Sequence, residues 1–305
     1  MRTLHAVAEL RAALAQPRRS GARIGLVPTM GAFHEGHLSL IRRAREDCDA
    51  VVVSLFINPT QFNDASDLEA YPRDASRDAL LAADAGADLL FAPPLSEVYP
   101  DGFATTVSVS GLTDRLEGVH RGRAHFDGVV TVVAKLFNMV APQVAYFGQK
   151  DAQQLLVVRR LVRDLDLPVR IEACPTVREP DGLAMSSRNA RLSEAERARA
   201  TALHRALLAA DAAVLAGLTN PREVVALAQA ELDAARVETE YFELVSADTL
   251  APVTELDGPV LAVVAARVGG TRLIDNHMLS TAKRAAGKLT EESAMHRTML
   301  TSTSY

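Results

Sequence analysis

Short apolar runs alternate with amphipathic segments through the first part of the chain. The runs are rich in β-branched residues and predict strands at residues 24–27, 51–57, 88–91, 106–109, 144–147 and 169–174. The segments between them have the helical spacing of apolar positions and predict helices at residues 38–48, 68–85, 129–140 and 152–164. This alternation predicts an α/β fold with a Rossmann-like, doubly wound parallel sheet.

The pattern changes after Arg178. Helices are predicted at residues 193–217 and 221–235, the first with Ser193 as its N-cap, and strands at residues 241–245, 260–267 and 271–275. We therefore expect a first domain over residues 1–176 and a smaller α+β domain over residues 177–280. Residues 281–305 form a polar tail that we expect to be disordered, and no function is assigned to it.

Polar segments follow three of the predicted strands. They are residues 28–37, 58–61 and 148–151. In open parallel sheets the ligand crevice lies beyond the carboxyl ends of the strands, so the topology predicts that these segments converge on one site.

The first of these segments places two histidines beside glycines at a strand-to-helix junction. Backbone amides and the helix dipole can hold an anion there, Gly36 allows close approach of the backbone, and His34 and His37 can donate hydrogen bonds. The phosphate-binding motifs GxxxxGK[ST] and GxGxxG are absent from the chain. Taken alone, the HxGH spacing fits an ordinary surface loop better than a phosphate site, and a zinc site is a weaker alternative.

Composition narrows the class of protein. The 305 residues are 48% hydrophobic and 23% charged, and the net charge of −5 argues against a nucleic-acid binder that relies on phosphate contacts. The two cysteines, Cys48 and Cys174, suggest neither a disulfide framework nor a cysteine zinc site. No signal-peptide core is evident, and Lys135 and Asn138 interrupt the long apolar stretch over residues 129–144. We expect a cytoplasmic protein without a membrane segment.

A second polar loop gives the histidines a context. Met185, Ser186, Ser187 and Arg188 offer two hydroxyls and a guanidinium suited to the β- and γ-phosphate oxygens of a nucleotide. Together with HxGH, this loop resembles the HxGH nucleotidyltransferase superfamily, which includes the class I aminoacyl-tRNA synthetases.

Further motifs narrow the resemblance and extend over residues 25–279. They are residues 28–37 (PTMGAFHEGH), 56–62 (FINPTQF), 71–73 (YPR), 125–129 (HFDGV), 147–154 (FGQKDAQQ), 175–178 (PTVR), 181–189 (DGLAMSSRN) and 272–276 (RLIDN). In this order they are similar to the pantothenate synthetases, the pantoate–β-alanine ligases.

The resemblance implies a two-step ligation in which ATP and pantoate give pantoyl adenylate and pyrophosphate. The amine of β-alanine then attacks the acyl carbonyl and releases AMP. The substrate's own carboxylate is the nucleophile, so the site must position groups and stabilise charge rather than supply a catalytic Ser or Cys. The resemblance also implies a homodimer. We expect Mg²⁺ to enter with ATP and to contact mostly phosphate and water, so no residue is assigned as a metal ligand.

The family's site residues are carried over by matching position. The nucleotide contacts would be Met30, Gly31, Ala32, Phe33, His34, Glu35, Gly36, His37, Gly148, Gln149, Lys150, Asp151, Val177, Met185, Ser186, Ser187 and Arg188. The groups expected to act in catalysis are His34, His37, Lys150, Ser186, Ser187 and Arg188, with His37 as the family's proposed proton donor. Gln61 and Gln154 correspond to the pantoate-binding pair, while Asn58 and His125 could serve substrate or structure equally.

Some features depart from the family pattern or leave alternatives open. The stretch from Gly118 to His125 is one residue longer, so either Arg121 or Arg123 takes the place of the family's arginine. Gln149 and Phe33 stand where Glu and Leu are frequent. The rival functions are another HxGH enzyme, such as a cytidylyltransferase or a pantetheine-phosphate adenylyltransferase, and a catalytically silent nucleotide-binding module. We expect the smaller domain to act as a lid that hinges near Gly182.

Overall fold

The computed structural model describes residues 1–63, 68–69 and 71–281. The chain divides into two compact units. Of the described residues, the first unit comprises those of Met1–Glu179 together with Ala184–Ser187, and the second comprises Pro180–Leu183 together with residues 188–281.

A six-stranded parallel sheet forms the centre of the first unit. Its strands are β1 (Arg2–Leu4), β2 (Ile24–Thr29), β3 (Ala50–Leu55), β4 (Leu89–Phe91), β5 (Val144–Gly148) and β6 (Arg170–Cys174), in the spatial order β1-β4-β3-β2-β5-β6. The strand β3 is buried along nearly its whole length, as expected of a central strand covered on both faces. The predicted doubly wound sheet is confirmed.

Helices cover this sheet. They are α1 (Val7–Arg19), α2 (Glu35–Asp47), α3 (Ala75–Asp84), α4 (Leu95–Val98), α5 (Glu117–Val140) and α6 (Ala152–Asp164), and short 3₁₀ turns span Pro59–Gln61 and Gln149–Asp151. The apolar stripe of α2, with Leu40, Ile41 and Ala44, packs into a core shared with Val27 and Tyr146. Burying this stripe fixes the direction in which α2 leaves the HxGH loop.

The second unit packs helices against an antiparallel sheet. The elements are α7 (Glu194–Ala200), α8 (Ala202–Leu215), α9 (Pro221–Ala234), β7 (Glu238–Ser246), β8 (Val260–Val268) and β9 (Thr271–Met278), and the sheet order is β7-β8-β9. Its core includes Leu203, Leu207, Phe242 and Val264. Ser193 caps α7 in a reciprocal arrangement with Glu196, as the sequence predicts.

The strand predicted at residues 106–109 is wrong. This segment has no strand partner within the described chain, and the backbone N–H of Val107 donates to the Thr131 hydroxyl on α5 instead of to a neighbouring strand. The structure also adds a short edge strand, β1, at Arg2–Leu4 that the sequence pattern does not suggest.

Three predicted helices differ most from their observed bounds. The one predicted at residues 68–85 is described as α3 only from Ala75, where Asp74 caps it. The one predicted at residues 193–217 is divided at Thr201, whose hydroxyl bonds back to the carbonyl of Ala198. The one predicted at residues 129–140 begins at Glu117 and has a kink at Gly122, where φ is 73°.

The expected boundary between residues 176 and 177 also needs correction. Arg178 pairs with Ala184 in an antiparallel bridge, and the N–H of Met185 donates to the carbonyl of Val177. These bonds fold the chain back, so Met185, Ser186 and Ser187 belong to the first unit and not to the smaller one. Residues 282–305 of the predicted tail lie outside the described residues, whereas Thr281 is buried and its hydroxyl donates to the carbonyl of Gly258. No helix in the described part of the chain has the length and apolar character needed to span a membrane.

Candidate active site

The three predicted polar segments follow adjacent strands of the sheet. Residues 28–37 include the last two residues of β2 and continue beyond it. Residues 58–61 lie beyond the end of β3, and residues 148–151 start with the last residue of β5. Because β2 pairs with β3 on one side and β5 on the other, all three leave the carboxyl edge side by side. From β2 the chain adds β3 and β4 on one side of the sheet, and then β5 and β6 on the other side of β2. In doubly wound sheets, ligands bind at the point where the strand order reverses in this way.

The HxGH loop forms a compact turn in which each imidazole is held by the backbone. His34 caps α2, and its Nδ1 accepts the N–H of Gly36 at 3.1 Å. The Nδ1 of His37 accepts the N–H of His34 at 3.4 Å. The two ring centroids are 4.2 Å apart, and both histidines are partly buried. An ordinary exposed surface loop, the simpler interpretation of the motif alone, does not describe this packing.

The hydrogen bonds define which ring nitrogens carry protons. Since Nδ1 accepts in both histidines, the neutral rings carry their proton on Nε2 and can donate from that atom. Burial, followed by the charges of His34 and Lys150, lowers the pKa of His37 from 6.5 to about 3. Burial and the charge of Lys150 also lower the pKa of His34. At neutral pH both groups are therefore uncharged hydrogen-bond donors.

Lys150 supplies the positive charge beside these histidines. It lies in the 3₁₀ turn after β5, its side chain is 20% exposed, and its Nζ is 3.9 Å from Oδ1 of Asp151. Asp151 immediately precedes α6 but makes no capping hydrogen bond, so a purely capping role does not describe it. Gly148 is in an extended conformation with open space around its Cα, and Gln149 is exposed.

The second motif reaches the HxGH loop through Met185. A Cβ built on Gly36 would lie 3.8 Å from the Cβ of Met185. Val177, whose carbonyl accepts the N–H of Met185, anchors this part of the loop. Ser186 and Ser187 also belong to the first unit, whereas the second unit resumes at Arg188.

Asn58 holds the side-chain amide of Gln61 in one orientation. The Nδ2 of Asn58 donates to Oε1 of Gln61 at 3.1 Å and to the carbonyl of Gly128 at 3.1 Å. Its Oδ1 accepts the hydroxyls of Thr60 and Tyr99, so every polar atom of this 1%-exposed side chain has a protein partner. Gln61 consequently presents its Nε2 donor, which lies 2.9 Å from the Met30 sulfur.

His125 supports the same glutamine from the backbone side. Its Nδ1 is 2.6 Å from the carbonyl of Gln61, and because a carbonyl only accepts, this nitrogen carries the proton. Burial, followed by the charge of Arg121, lowers the pKa of His125 to about 4. Of the two arginines in question, Arg121 pairs with the buried Glu117, while Arg123 is more exposed and contacts Ser108. Asn58 and His125 thus have structural partners that account for their positions.

Two other predicted residues have simpler surroundings. Gln154 lies in the first turn of α6 and is partly buried, and its side chain makes no hydrogen bond within the described part of the chain. Glu35 forms an exposed ion pair with Arg42.

The alternative of a zinc site receives no support, because the described residues contain no group of three or more His, Cys, Asp or Glu side chains arranged to hold a metal ion.

One residue that contacts the HxGH loop lies outside all of the sequence motifs. Asp78 on α3 is 2% exposed, and its carboxylate accepts the N–H groups of Ala32 and Phe33, each at 2.8 Å. Hydrogen bonds to a charged group contribute about 1.5–3 kcal/mol each. The sequence gives only a weak indication of this role: Asp78 is an acidic residue four positions before Ala82, on the buried face of a helix.

Comparison with known proteins places this geometry in a family. A sequence model described as Pantoate-beta-alanine ligase matches residues 2–278. A pantothenate synthetase from Cereibacter sphaeroides is 57% identical over 274 residues, which cover 90% of this chain and 98% of that protein. The chain belongs to the pantoate-beta-alanine ligase family. It is therefore an enzyme that joins pantoate to β-alanine, and the rival HxGH activities and the silent module are set aside.

Solved structures of the family share the fold. Pantothenate synthetase from Thermus thermophilus is 50% identical and superimposes with a TM-score of 0.86, covering 91% of this chain and 99% of that one. A pantoate-beta-alanine ligase from Francisella tularensis, 32% identical with a TM-score of 0.74, covers 91% of this chain and 97% of its own. That structure is described as complexed with beta-gamma ATP and β-alanine.

Proposed function

We propose that the enzyme activates pantoate with ATP and forms pantothenate through a pantoyl adenylate. The observation that carries this proposal is the pair of neutral imidazoles, each fixed at Nδ1 by a backbone N–H and placed beside Lys150. Donors that are oriented before the reaction stabilise developing charge without reorganisation. The Francisella relative, complexed with beta-gamma ATP and β-alanine, supports ATP and β-alanine as substrates of this chain too.

The first step is a displacement at the α-phosphorus. One oxygen of the pantoate carboxylate forms a bond to phosphorus, and the bond to the bridging oxygen breaks to release pyrophosphate. His34 and His37 donate from Nε2 to the phosphate oxygens, and Lys150 adds a point charge on the same oxygens. Asp151 binds the ribose hydroxyls, and backbone amides of residues 30–36 and 148–149 line the nucleotide. The hydroxyls of Ser186 and Ser187 and the guanidinium of Arg188 bind the β- and γ-phosphates.

Two glutamines orient the acid that is activated. Gln61 donates from Nε2, because Asn58 already occupies its oxygen, and this donor suits a carboxylate or hydroxyl oxygen of pantoate. Gln154 retains both donor and acceptor capacity for the other polar groups of pantoate. Asn58 and His125 act on the substrate through Gln61.

In the second step the neutral amine of β-alanine attacks the acyl carbonyl. The bond from the acyl carbon to the AMP oxygen breaks, AMP leaves with the electron pair, and the nitrogen releases one proton to water as the amide forms. Mg²⁺ would enter bound to the phosphates of ATP, where oxygen atoms and water supply the ligands that this cation prefers. The homodimer, the cytoplasmic location and the lid motion of the second unit remain predictions.

Exchange of labelled pyrophosphate into ATP tests the activation step. Purified protein with Mg²⁺ and ATP should catalyse exchange when pantoate is present and β-alanine is absent. Exchange that requires β-alanine, or that proceeds with another carboxylic acid but not with pantoate, would overturn the proposed order and substrate.

A further inference from the structure

A buried carboxylate lies behind the HxGH loop. Asp78 is on α3, far from the motif in sequence, and both of its oxygens are occupied by backbone donors. Oδ2 accepts the N–H of Ala32, and Oδ1 accepts the N–H of Phe33. Among the described residues no Lys, Arg or His forms an ion pair with it. Its negative charge is therefore balanced by two backbone N–H groups of the loop.

The loop conformation requires such support. Gly31 and Ala32 have φ values of 87° and 53°, in the left-handed region. A residue with a Cβ rarely adopts this region unless its surroundings impose it. A Cβ on Gly31 would lie 2.8 Å from Oδ2 of Asp78, so the carboxylate fits closely against the turn. The bond from Ala32 to Asp78 is formed at the strained residue itself.

The same bonds determine where both imidazoles lie. Phe33, the second residue bound to Asp78, is 1% exposed and directly precedes His34. The N–H of His34 donates to His37, and His34 in turn accepts from Gly36. Each link is a hydrogen bond or a peptide bond. A shift of the peptide between Ala32 and Phe33 would therefore move the donor that fixes His37.

We infer that Asp78 is a positioning residue for adenylate formation: its carboxylate holds the turn at Ala32 and Phe33 so that the Nε2 atoms of His34 and His37 meet the reacting phosphate. The part of this inference that concerns the reacting phosphate rests on the proposed function. The part that concerns the geometry of the loop does not. Asn at this position has the same shape but presents an NH₂ group to one of the two backbone donors. The negative charge, and not only the volume, is required.

The test compares Asp78→Asn with Asp74→Asn, a matched control on the same helix. Asp74 is exposed and caps α3, and Asn caps helices equally well, so the control removes one charge without touching the loop. Pantoate-dependent pyrophosphate exchange gives kcat and the KM values, and thermal unfolding gives stability. Nitrogen-15 NMR of the imidazoles reports the protonation of each Nδ1 and Nε2. Hydrogen exchange of the wild-type protein reports the protection of the Ala32 and Phe33 amides.

Asp78→Asn should lower kcat for exchange by roughly 10- to 100-fold, the cost of a small misplacement of reacting groups, with little change in the KM for pantoate. Its imidazole nitrogen signals should shift, and Asp74→Asn should match the wild type. A folded Asp78→Asn enzyme with wild-type kcat and unchanged imidazole signals would overturn the inference. So would rapid exchange of the Ala32 and Phe33 amides in the wild type, a result that does not depend on the variant's folding. Absence of pantoate-dependent exchange in the wild type would refute the proposed function instead, and the NMR measurements would still decide the positioning role.

Discussion

The backbone N–H of His34 donates to Nδ1 of His37 across 3.4 Å. This bond orients His37 from within its own motif, because the donor and acceptor are separated by one turn at the start of α2. The Nε2–H of His37 is then available for a ligand. The HxGH spacing is therefore an arrangement in which the first histidine positions the second.

Removal of the His37 ring should chiefly affect adenylate formation. His37→Ala should reduce the rate of pantoate-dependent pyrophosphate exchange by about 100-fold or more, since loss of one preorganised donor typically costs this much. The fold should remain intact, as judged by circular dichroism and thermal unfolding. His5→Gln, outside the site, serves as the control. Near-normal turnover of His37→Ala would exclude His37 as an essential group.

Protein stability should depend on pH through His37. The folded-state pKa of about 3 lies below the ordinary 6.5, so between these values the unfolded chain binds a proton that the folded protein does not. The stability that the neutral His37 contributes to the folded protein is fully present above pH 6.5 and is lost as the pH falls toward 3. Urea unfolding of wild type and His37→Gln between pH 7.5 and 4.5 measures it. The wild type should lose up to ~1.4 kcal/mol per pH unit more than the variant. Parallel curves for the two proteins would show that His37 titrates normally.

Asn58 should affect pantoate binding although all its hydrogen bonds are internal. Asn58→Ala releases Oε1 of Gln61, and the freed amide can rotate away from its binding orientation. The KM for pantoate should rise by about tenfold or more, with a smaller effect on the KM for ATP. Because the two residues act together, Asn58→Ala should add little in a Gln61→Ala background.

Tyr99→Phe is the matched control for this effect. It removes one hydrogen bond to Oδ1 of Asn58 but leaves the bond between Asn58 and Gln61. Its steady-state kinetics should remain close to wild type. A variant Tyr99→Phe as impaired as Asn58→Ala would show that the loop as a whole, and not the amide orientation, is what Asn58 maintains.

The glycine of the HxGH motif should be needed for the position of His34. A Cβ at residue 36 would lie 2.8 Å from Cε1 and 2.9 Å from Nδ1 of His34, so Gly36→Ala must displace that ring. We expect at least a roughly tenfold loss in exchange rate. Gly148→Ala, where the added Cβ meets open space, should unfold at the wild-type temperature. An active Gly36→Ala enzyme with an unshifted His34 imidazole signal would contradict this account.

Much of the fold follows from local patterns in the sequence. Central strands such as β3 are nearly all apolar, and α6 has its predicted bounds, because burial on both faces or on one stripe leaves a clear periodicity. The unpaired segment at residues 106–109 has the same β-branched alternation as a strand. Its backbone partner is a threonine hydroxyl on α5, and nothing local in the sequence reveals that contact.

Some features of the candidate site also follow from local sequence, whereas others depend on long-range contacts. Motif spacing suffices to bring together His34, His37 and Lys150, since adjacent strands end beside one another. Neither the neutrality of the imidazoles nor the contact of Asp78 with the loop could be predicted, because both depend on burial and on long-range hydrogen bonds. The hydrogen bond between Asn58 and Gln61 likewise becomes visible only when both side chains are placed.

Pantoate labelled with oxygen-18 in its carboxylate tests directly whether pantoate attacks the α-phosphate of ATP. The protein, Mg²⁺, ATP and β-alanine are incubated with the labelled acid, and the products are analysed by mass spectrometry. Attack of the labelled carboxylate on the α-phosphorus should give pantothenate together with AMP that carries one oxygen-18 atom in its phosphate. Unlabelled AMP, or ADP with the label in inorganic phosphate, would contradict it.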